Sequence, residues 1–120
     1  MYSCEKLNPI EIIRGTTNPF GIELIEKESG QHYELEEGQS LIFGVKMNEH
    51  DEYPVITKKI TRVVDGSYYL ELTPNDTKFL EPGHYYYDIG LKISDSAYFN
   101  IVEPSPFVIK ANITSIGDVE

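Results

Sequence analysis

Hydrophobic and polar residues alternate along four stretches of the chain, so that apolar positions recur at every second residue. These apolar positions are Phe20, Ile22 and Leu24; Leu41, Phe43, Val45 and Met47; Tyr85, Tyr87, Ile89, Leu91 and Ile93; and Phe107, Ile109, Ala111 and Ile113. A period of two is expected of a strand that buries one face and leaves the other in water. β-branched and aromatic residues, which suit the pleated surface of a sheet, dominate these stretches. The pattern therefore predicts half-buried antiparallel strands.

Turn residues separate these stretches and indicate further strands. Asp65-Gly66, just ahead of a predicted strand at Ser67–Leu72, is the strongest hairpin signal in the chain. The stretch Val55–Val64 mixes apolar and basic residues, which predicts an edge strand protected by lysines. A weaker turn at Asp95-Ser96 precedes a predicted strand at Ala97–Val102.

One short helix is predicted at Pro74–Leu80. Thr73 suits the N-cap and Pro74 suits the first helical position, while Asp76 stands where a capping box places its acidic residue. Roughly eight strands with one small helix predict an all-β antiparallel sandwich, and a small barrel is the competing architecture. We find no linker or repeat, so residues 1–120 are interpreted as a single domain with a core at about 10–113.

The charge of the chain restricts its partners. Twenty Asp and Glu residues against ten Lys and Arg residues give a net charge of −10, which repels nucleic-acid phosphates and anionic lipid headgroups. No apolar run approaches the ~18 residues that a membrane-spanning helix needs. The first residues also lack the basic-then-apolar order of a signal peptide. We therefore expect no nucleic-acid partner, no membrane insertion and synthesis inside the cell.

No residue pattern points to catalysis or metal binding. His32, His50 and His84 lack the close spacing that aims two ligands at one metal, and the acidic cluster at 49–52 lacks the frame of a calcium loop. Cys4, the single cysteine, is interpreted as a passive thiol in a mobile terminus. Nucleophile elbows and glycine-rich phosphate loops are missing from the sequence. We therefore expect no enzymatic activity, no metal and no cofactor.

The segment Leu72–Ile89 predicts a strand, a helical crossover, a glycine turn and a tyrosine-rich strand, in that order. Immunoglobulin-like sandwiches place such a crossover between two strands, followed by a tyrosine whose hydroxyl bonds to the backbone just upstream. Tyr85 occupies the matching position, so the predicted sandwich is immunoglobulin-like with Tyr85 as its tyrosine corner. Tyr87 points into the core where antibody domains have a cysteine, and no disulfide is expected between the two sheets.

The same segment resembles small immunoglobulin-like structural proteins of tailed bacteriophages and prophages, and is similar to the N-terminal domain of phage baseplate upper proteins. The residues that carry the resemblance are Ile13–Thr17, Val45–Met47 and Leu72–Ile89. The polar segment Gln31–Gln39 and the loop at 48–54 depart from the family pattern. The resemblance implies a structural role in a virion or prophage and no catalytic residues.

Five tyrosines are expected on neighbouring strands: Tyr68, Tyr69, Tyr85, Tyr86 and Tyr87. By the alternation of the strands, Tyr68, Tyr85 and Tyr87 point into the core, whereas Tyr69 and Tyr86 point outward. The two outward residues are either cross-strand partners on a solvent face or part of a protein interface, where tyrosine is enriched.

Two functions are compatible with these residues. The first is a phage or prophage structural or adaptor protein, associated with a tail or baseplate, whose partners are itself and/or other phage structural proteins. Such a protein resides in the virion or the bacterial host cytoplasm. The second is a small-ligand or glycan-binding module that uses the exposed Tyr69 and Tyr86. The chain contains no tryptophan, the residue that would help a sugar site most, and this favours the first.

Overall fold

The computed structural model describes residues 9–26 and 28–115, together with the backbone of residues 2–4. Within these ranges the chain forms ten strands and one short helix. The strands are β1 (Tyr2–Cys4), β2 (Ile10–Ile13), β3 (Asn18–Ile22), β4 (Leu24–Glu26), β5 (Ser40–Lys46), β6 (Ile56–Ile60), β7 (Val63–Val64), β8 (Ser67–Leu72), β9 (Gly83–Ser94) and β10 (Ala97–Lys110), and the helix is α1 (Pro74–Thr77). The predicted all-β sandwich with one short helix is confirmed.

One layer of the sandwich is a five-stranded sheet with the order β2-β10-β9-β5-β6. Its strands are antiparallel except at one edge, where β2 runs parallel to β10 with Ile10 opposite Phe107. The expectation of a wholly antiparallel sandwich is therefore wrong at this edge. A parallel pair needs a long connection between its strands, and here nearly the whole chain lies between β2 and β10. The edge strands β2 and β6 also show that the sheet does not close into a barrel.

The other layer contains the three-stranded sheet β3-β8-β7. Beyond Glu23, the chain of β3 continues as β4, which pairs with β1. Cys4 lies opposite Leu24 in this pair, so its backbone belongs to a strand and the expectation of a mobile terminus at Cys4 is wrong. The pairing covers three residues on each strand, which is too short a stretch to show an alternating pattern in the sequence.

The core lies between the two layers. Its eighteen buried residues are Ile10, Ile12, Ile22, Leu24, Leu41, Phe43, Val45, Ile56, Ile60, Tyr68, Leu70, Leu72, Tyr85, Tyr87, Ile89, Leu91, Phe107 and Ile109. Three rings from adjacent strands lie at its centre, with centroids 5.7 Å apart for Phe43 and Tyr87 and 6.3 Å apart for Tyr87 and Phe107. Tilted and edge-on rings at these separations add to the stabilisation from apolar burial.

The stretch Val55–Val64, predicted as one edge strand, is two strands in different layers. Ile56–Ile60 pairs with β5 in the five-stranded sheet, and Val63–Val64 pairs with β8 in the three-stranded sheet. The predicted hairpin turn follows directly, because Asp65 and Gly66 both have positive φ (51° and 84°). Two such residues define a type I′ turn, whose twist matches that of the strands it joins.

The crossover helix is shorter than the predicted Pro74–Leu80. It ends at Thr77. In the turn that follows, the amide of Leu80 donates to the Thr77 carbonyl at 2.9 Å. The capping pair is present, since Asp76 Oδ2 accepts from the Thr73 amide at 2.7 Å and from the Thr73 hydroxyl at 3.1 Å. After Thr77 the chain continues through residues 78–82 to Gly83, where β9 begins in the other layer.

Candidate functional site

The five tyrosines do not lie on neighbouring strands. Tyr68 and Tyr69 belong to β8 in the three-stranded sheet, whereas Tyr85, Tyr86 and Tyr87 belong to β9 in the five-stranded sheet. The crossover helix between β8 and β9 carries the chain from one layer to the other, so the two outward tyrosines, Tyr69 and Tyr86, face opposite sides of the molecule. The inward orientation expected for three of the five tyrosines is confirmed, because Tyr68, Tyr85 and Tyr87 are buried.

Tyr85 fastens the crossover to the sheet. Its ring lies in the core, and its hydroxyl donates to the backbone carbonyl of Glu81 at 2.7 Å. This is the upstream backbone contact that a tyrosine corner makes. Burial, and to a smaller extent the nearby Glu81 charge, raises the pKa of Tyr85, so the hydroxyl stays a donor at physiological pH.

Tyr69, one of the two outward candidates, is engaged in contacts within its own sheet. Its hydroxyl donates to Glu71 Oε1 at 2.6 Å, and the Arg62 guanidinium lies 5.5 Å from its ring centroid. The hydrogen bond to Glu71 is the main cause of the raised pKa of Tyr69. Glu71 belongs to the same strand as Tyr69, so this hydrogen bond runs along β8, and Arg62 lies in the link between β6 and β7. Tyr69 thus has partners on its own side of the molecule, but they are not the cross-strand pair that was expected.

Tyr86 has a different setting, on the outward side of the five-stranded sheet (hereafter the outer face). Its side chain is 39% exposed. It borders a cleft of about 260 Å³, hereafter the Tyr86 cleft. The cleft is lined by Ile42, Gly44, Lys46, Glu49, Pro54, Thr57, Tyr86, Tyr87, Asp88 and Pro104.

A missing side chain at the middle of the outer face produces this cleft. Gly44 lies opposite Asp88 and Thr57 in the sheet, and an added Cβ there would meet no atom closer than 3.9 Å. No side chain fills the cleft at Gly44, and its lining combines apolar side chains, among them Tyr86 and Pro104, with the charged Lys46, Glu49 and Asp88. Concave sites of this mixed character bind an apolar group together with a few polar ones.

A second glycine on the outer face, Gly90, is covered by a side chain of the same chain. The ring of Tyr98, 54% exposed, lies directly over Gly90, at a place where a Cβ would collide with it. Asn100, in the same strand as Tyr98, donates to Asp88 Oδ2 at 2.9 Å. Burial, followed by the Asp88 charge, raises the pKa of Tyr98. Tyr86 and Tyr98 thus present two aromatic rings on one face, with Asp88 and Glu49 as the nearby acids.

Alternation along the sequence identifies Tyr86 as an outward residue, but it does not single out Tyr98 or the two glycines. Gly44 and Gly90 stand at outward positions of alternating strands, and glycine inside a strand often marks a close approach or a depression. That signal was available in the sequence. The position of the Tyr98 ring over Gly90 cannot be predicted from the sequence, because it depends on the register between β9 and β10.

The candidate metal ligands stay apart. His32, His50 and His84 are all exposed, and the described residues contain no group of three or more His, Cys, Asp or Glu side chains that could hold a metal ion. In the part of the chain that the structure describes, α1 is the one helix, and no helix has the length and apolarity needed to cross a membrane.

A comparison of the chain with protein-family models finds no match, and neither does a comparison with curated proteins.

Proposed function

We propose that this chain is a phage or prophage structural or adaptor protein, associated with a tail or baseplate, that works through protein–protein contacts. The observation that carries the proposal is the outer face, where Tyr86 and Tyr98 are exposed beside the Tyr86 cleft. Tyrosine is enriched at protein interfaces because its ring supplies apolar area while its hydroxyl bonds to polar groups. The partners are copies of this chain, other phage structural proteins, or both.

The phage assignment is supported by the segment Leu72–Ile89. Its residues resemble those of phage structural proteins. In the structure they form three connected features: the capped crossover helix, the turn at Gly83 and the Tyr85 corner. Because a fold can serve many functions, the assignment remains a resemblance that supports the proposal. The virion or the host cytoplasm is the corresponding location.

Isolation of particles from an induced bacterial host tests this assignment. Mass spectrometry of purified tails and baseplates should detect the chain at a stoichiometry that reflects the particle symmetry. Deletion of its coding sequence should give particles that lack it and adsorb or assemble poorly. Complete recovery of the chain in the soluble fraction, with normal particles after deletion, would contradict a structural role.

The second function, a module for a small ligand or glycan, is favoured by one observation. Asp88 and Glu49 border the Tyr86 cleft beside the aromatic ring, and a sugar needs both hydrogen-bond acceptors and a stacking surface. The cleft volume of about 260 Å³ lies just under the range of about 300–1,000 Å³ typical of ligand pockets. Saturable binding of host cell-wall fragments to the chain would favour this second function, provided that Tyr86→Ser abolishes the binding and leaves particle assembly unchanged.

A further inference from the structure

A second cleft lies at the end of the sandwich where the crossover helix runs. It encloses about 240 Å³, and we call it the Arg14 cleft. Its lining residues are Arg14, Gly15, Lys78, Phe79, Asn112 and Ser115. They come from the turn after β2, from the end of α1 and from the segment after β10, and none of them borders the Tyr86 cleft.

Hydrogen bonds hold Arg14 in a fixed orientation. Its Nε donates to Asn112 Oδ1 at 2.8 Å, and the amide nitrogen of Asn112 in turn donates to the Thr114 carbonyl at 2.8 Å. Among the described residues, the two terminal amino groups of Arg14 have no acceptor. A guanidinium held through Nε keeps its two terminal amino groups for a planar acceptor such as a carboxylate.

A hydrogen bond links the two backbone segments that carry the cations of the cleft. The amide of Gly15, next to Arg14, donates to Thr77 Oγ1 at 2.8 Å, and Thr77 is fully buried beside Lys78. The turn that carries Arg14 is therefore held against the end of the helix that precedes Lys78. Arg14, oriented through its Nε, loses little conformational freedom when a ligand binds, whereas the exposed Lys78 side chain adds its charge from a fixed backbone position.

The charge of the cleft is opposite to that of the molecule. Three other cations of the described chain form ion pairs: Lys58 with Asp76, Lys92 with Asp95 and Lys110 with Glu11. In the same described residues neither Arg14 nor Lys78 has an ion pair. The described residues that line the cleft include no Asp or Glu. Two cations that share such a cleft repel each other, and an anion bound between them relieves that repulsion.

The exposed ring of Phe79 favours a ligand that also carries an apolar group. Phe79 is 85% exposed, and the ammonium of Lys78 lies 4.9 Å from its ring centroid. A phenyl ring left in water at a cleft mouth is stabilised when an apolar group covers it. The ligand should therefore carry a carboxylate and an apolar side chain close together.

We propose that the Arg14 cleft binds an acidic peptide segment of a partner protein, in which a Glu or Asp carboxylate meets Arg14 and Lys78 while a neighbouring apolar side chain covers Phe79. The fork of the guanidinium matches a carboxylate, and the ring gives affinity that a bare inorganic anion cannot use. This contact site lies beyond the outer face on which the proposed function rests.

Titration of the ¹⁵N-labelled chain with a blocked peptide, acetyl-Gly-Phe-Glu-Glu-Leu-Gly-amide, tests the proposal. The Arg14 Nε–H and Asn112 side-chain amide resonances should shift and saturate, and a peptide with Gln in place of both Glu residues should leave them unmoved. Binding should weaken as salt rises, because the contact is between charges. Tyr86→Ser should not change this titration, so failure here is distinguishable from failure of the proposed function.

Variants identify the residues responsible. Arg14→Gln should weaken the peptide about tenfold or more, and Lys78→Gln about threefold, as expected for a bidentate and a single charged contact. Lys59→Gln, an equal change of charge at an exposed residue of β6, is the matched control and should leave affinity unchanged. If Arg14→Gln does not fold, the exposed Lys78→Gln decides the question.

Three results would overturn the proposal: equal binding of the Glu and Gln peptides, equal weakening by Lys59→Gln and Lys78→Gln, or no shift with the Glu peptide. A fourth would reassign the cleft. If inorganic phosphate moves the two side-chain resonances at far lower concentration than acetate or the peptide does, the site is a phosphate site.

Discussion

At the residue scale, the Tyr85 hydroxyl is the group that ties the crossover to the five-stranded sheet. Tyr85→Phe keeps the buried ring but leaves the Glu81 carbonyl without its donor. We expect the free energy of unfolding to fall by about 0.5–1.5 kcal/mol, measured by urea denaturation at neutral pH. Tyr69→Phe is the control, since its hydroxyl bonds to the exposed Glu71. Equal losses in the two variants would contradict a special role for Tyr85.

The ionised carboxylate of Asp76 contributes to the stability of the fold. Burial alone would raise its pKa, but hydrogen bonds from Lys58 and Thr73 outweigh burial and hold the pKa of Asp76 below its usual value. The Lys58 ammonium lies 2.8 Å from Asp76 Oδ2, which joins the crossover helix to the edge strand β6. The ionised carboxylate therefore favours the folded state over the unfolded chain.

A pH titration of stability tests this. Because the folded pKa lies below the unfolded value of about 3.9, the Asp76 contribution is present above about pH 4 and is lost as pH falls through the lowered pKa. Asp76→Asn should cost about 1 kcal/mol at neutral pH and little in strong acid. Asp95→Asn, in an exposed ion pair with Lys92, should have almost no effect at either pH. A cost for Asp76→Asn that does not change with pH would argue against ionisation as the cause.

At the element scale, the long β9–β10 hairpin depends on Tyr98 lying across Gly90. Gly90→Ala must displace the Tyr98 ring, so we expect a loss of about 1 kcal/mol or more. In a Tyr98→Ala background the same substitution should cost much less, and thermal or urea unfolding of the four proteins gives the coupling. Gly44→Ala, on the same face with open space for a Cβ, is the matched control. Simple additivity of the two changes would disprove the contact.

The same elements show how much the sequence could predict. The alternation located β3, β5, most of β9 and the last part of β10, because a strand with one buried face must repeat every two residues. The turn at Asp65-Gly66 located β8. It could not assign Ile56, Ile60 and Val64 to two different layers, since their spacing looks the same in both. β2 was missed because only Ile10 and Ile12 face inward, too few for a recurring pattern.

The last two predicted strands form one long strand in the structure. Ala97–Val102 and the alternating stretch that starts at Phe107 are both part of β10, with Pro104 and Pro106 between them. The register shifts on either side of Val102, and such bulges let a strand accommodate proline. For the candidate sites, alternation placed Tyr86 outward correctly. The Arg14 cleft could not be predicted from the sequence, because its residues come together only in the tertiary fold.

At the scale of the whole molecule, the charge of −10 opposes association between copies. At about 0.15 M salt the Debye length is about 8 Å, so this repulsion fades, whereas apolar burial changes little. We therefore expect self-association through the outer face to strengthen from low to physiological salt, as measured by sedimentation. A contact with a basic partner would weaken over the same range.

Two tyrosine variants locate the association surface. Tyr86→Ser removes a ring from the outer face and should weaken association. Tyr69→Ser removes a ring from the opposite sheet, where Arg62 and Glu71 already occupy it, and should have little effect. A strict monomer at every salt concentration would rule out self-association and leave a different protein as the partner. Unchanged association in Tyr86→Ser would remove the outer face from the proposal.

The ring cluster of Phe43, Tyr87 and Phe107 has a consequence for where the fold can exist. Many immunoglobulin-like domains join their layers by oxidising two cysteines, which ties folding to an oxidising compartment. Here aromatic packing occupies the centre of the core, and the chain has a single cysteine, so no internal disulfide can form. The thermal midpoint should be the same with and without a thiol reductant. The fold therefore depends on no oxidation step, and the same packing can form in a reducing or in an oxidising medium.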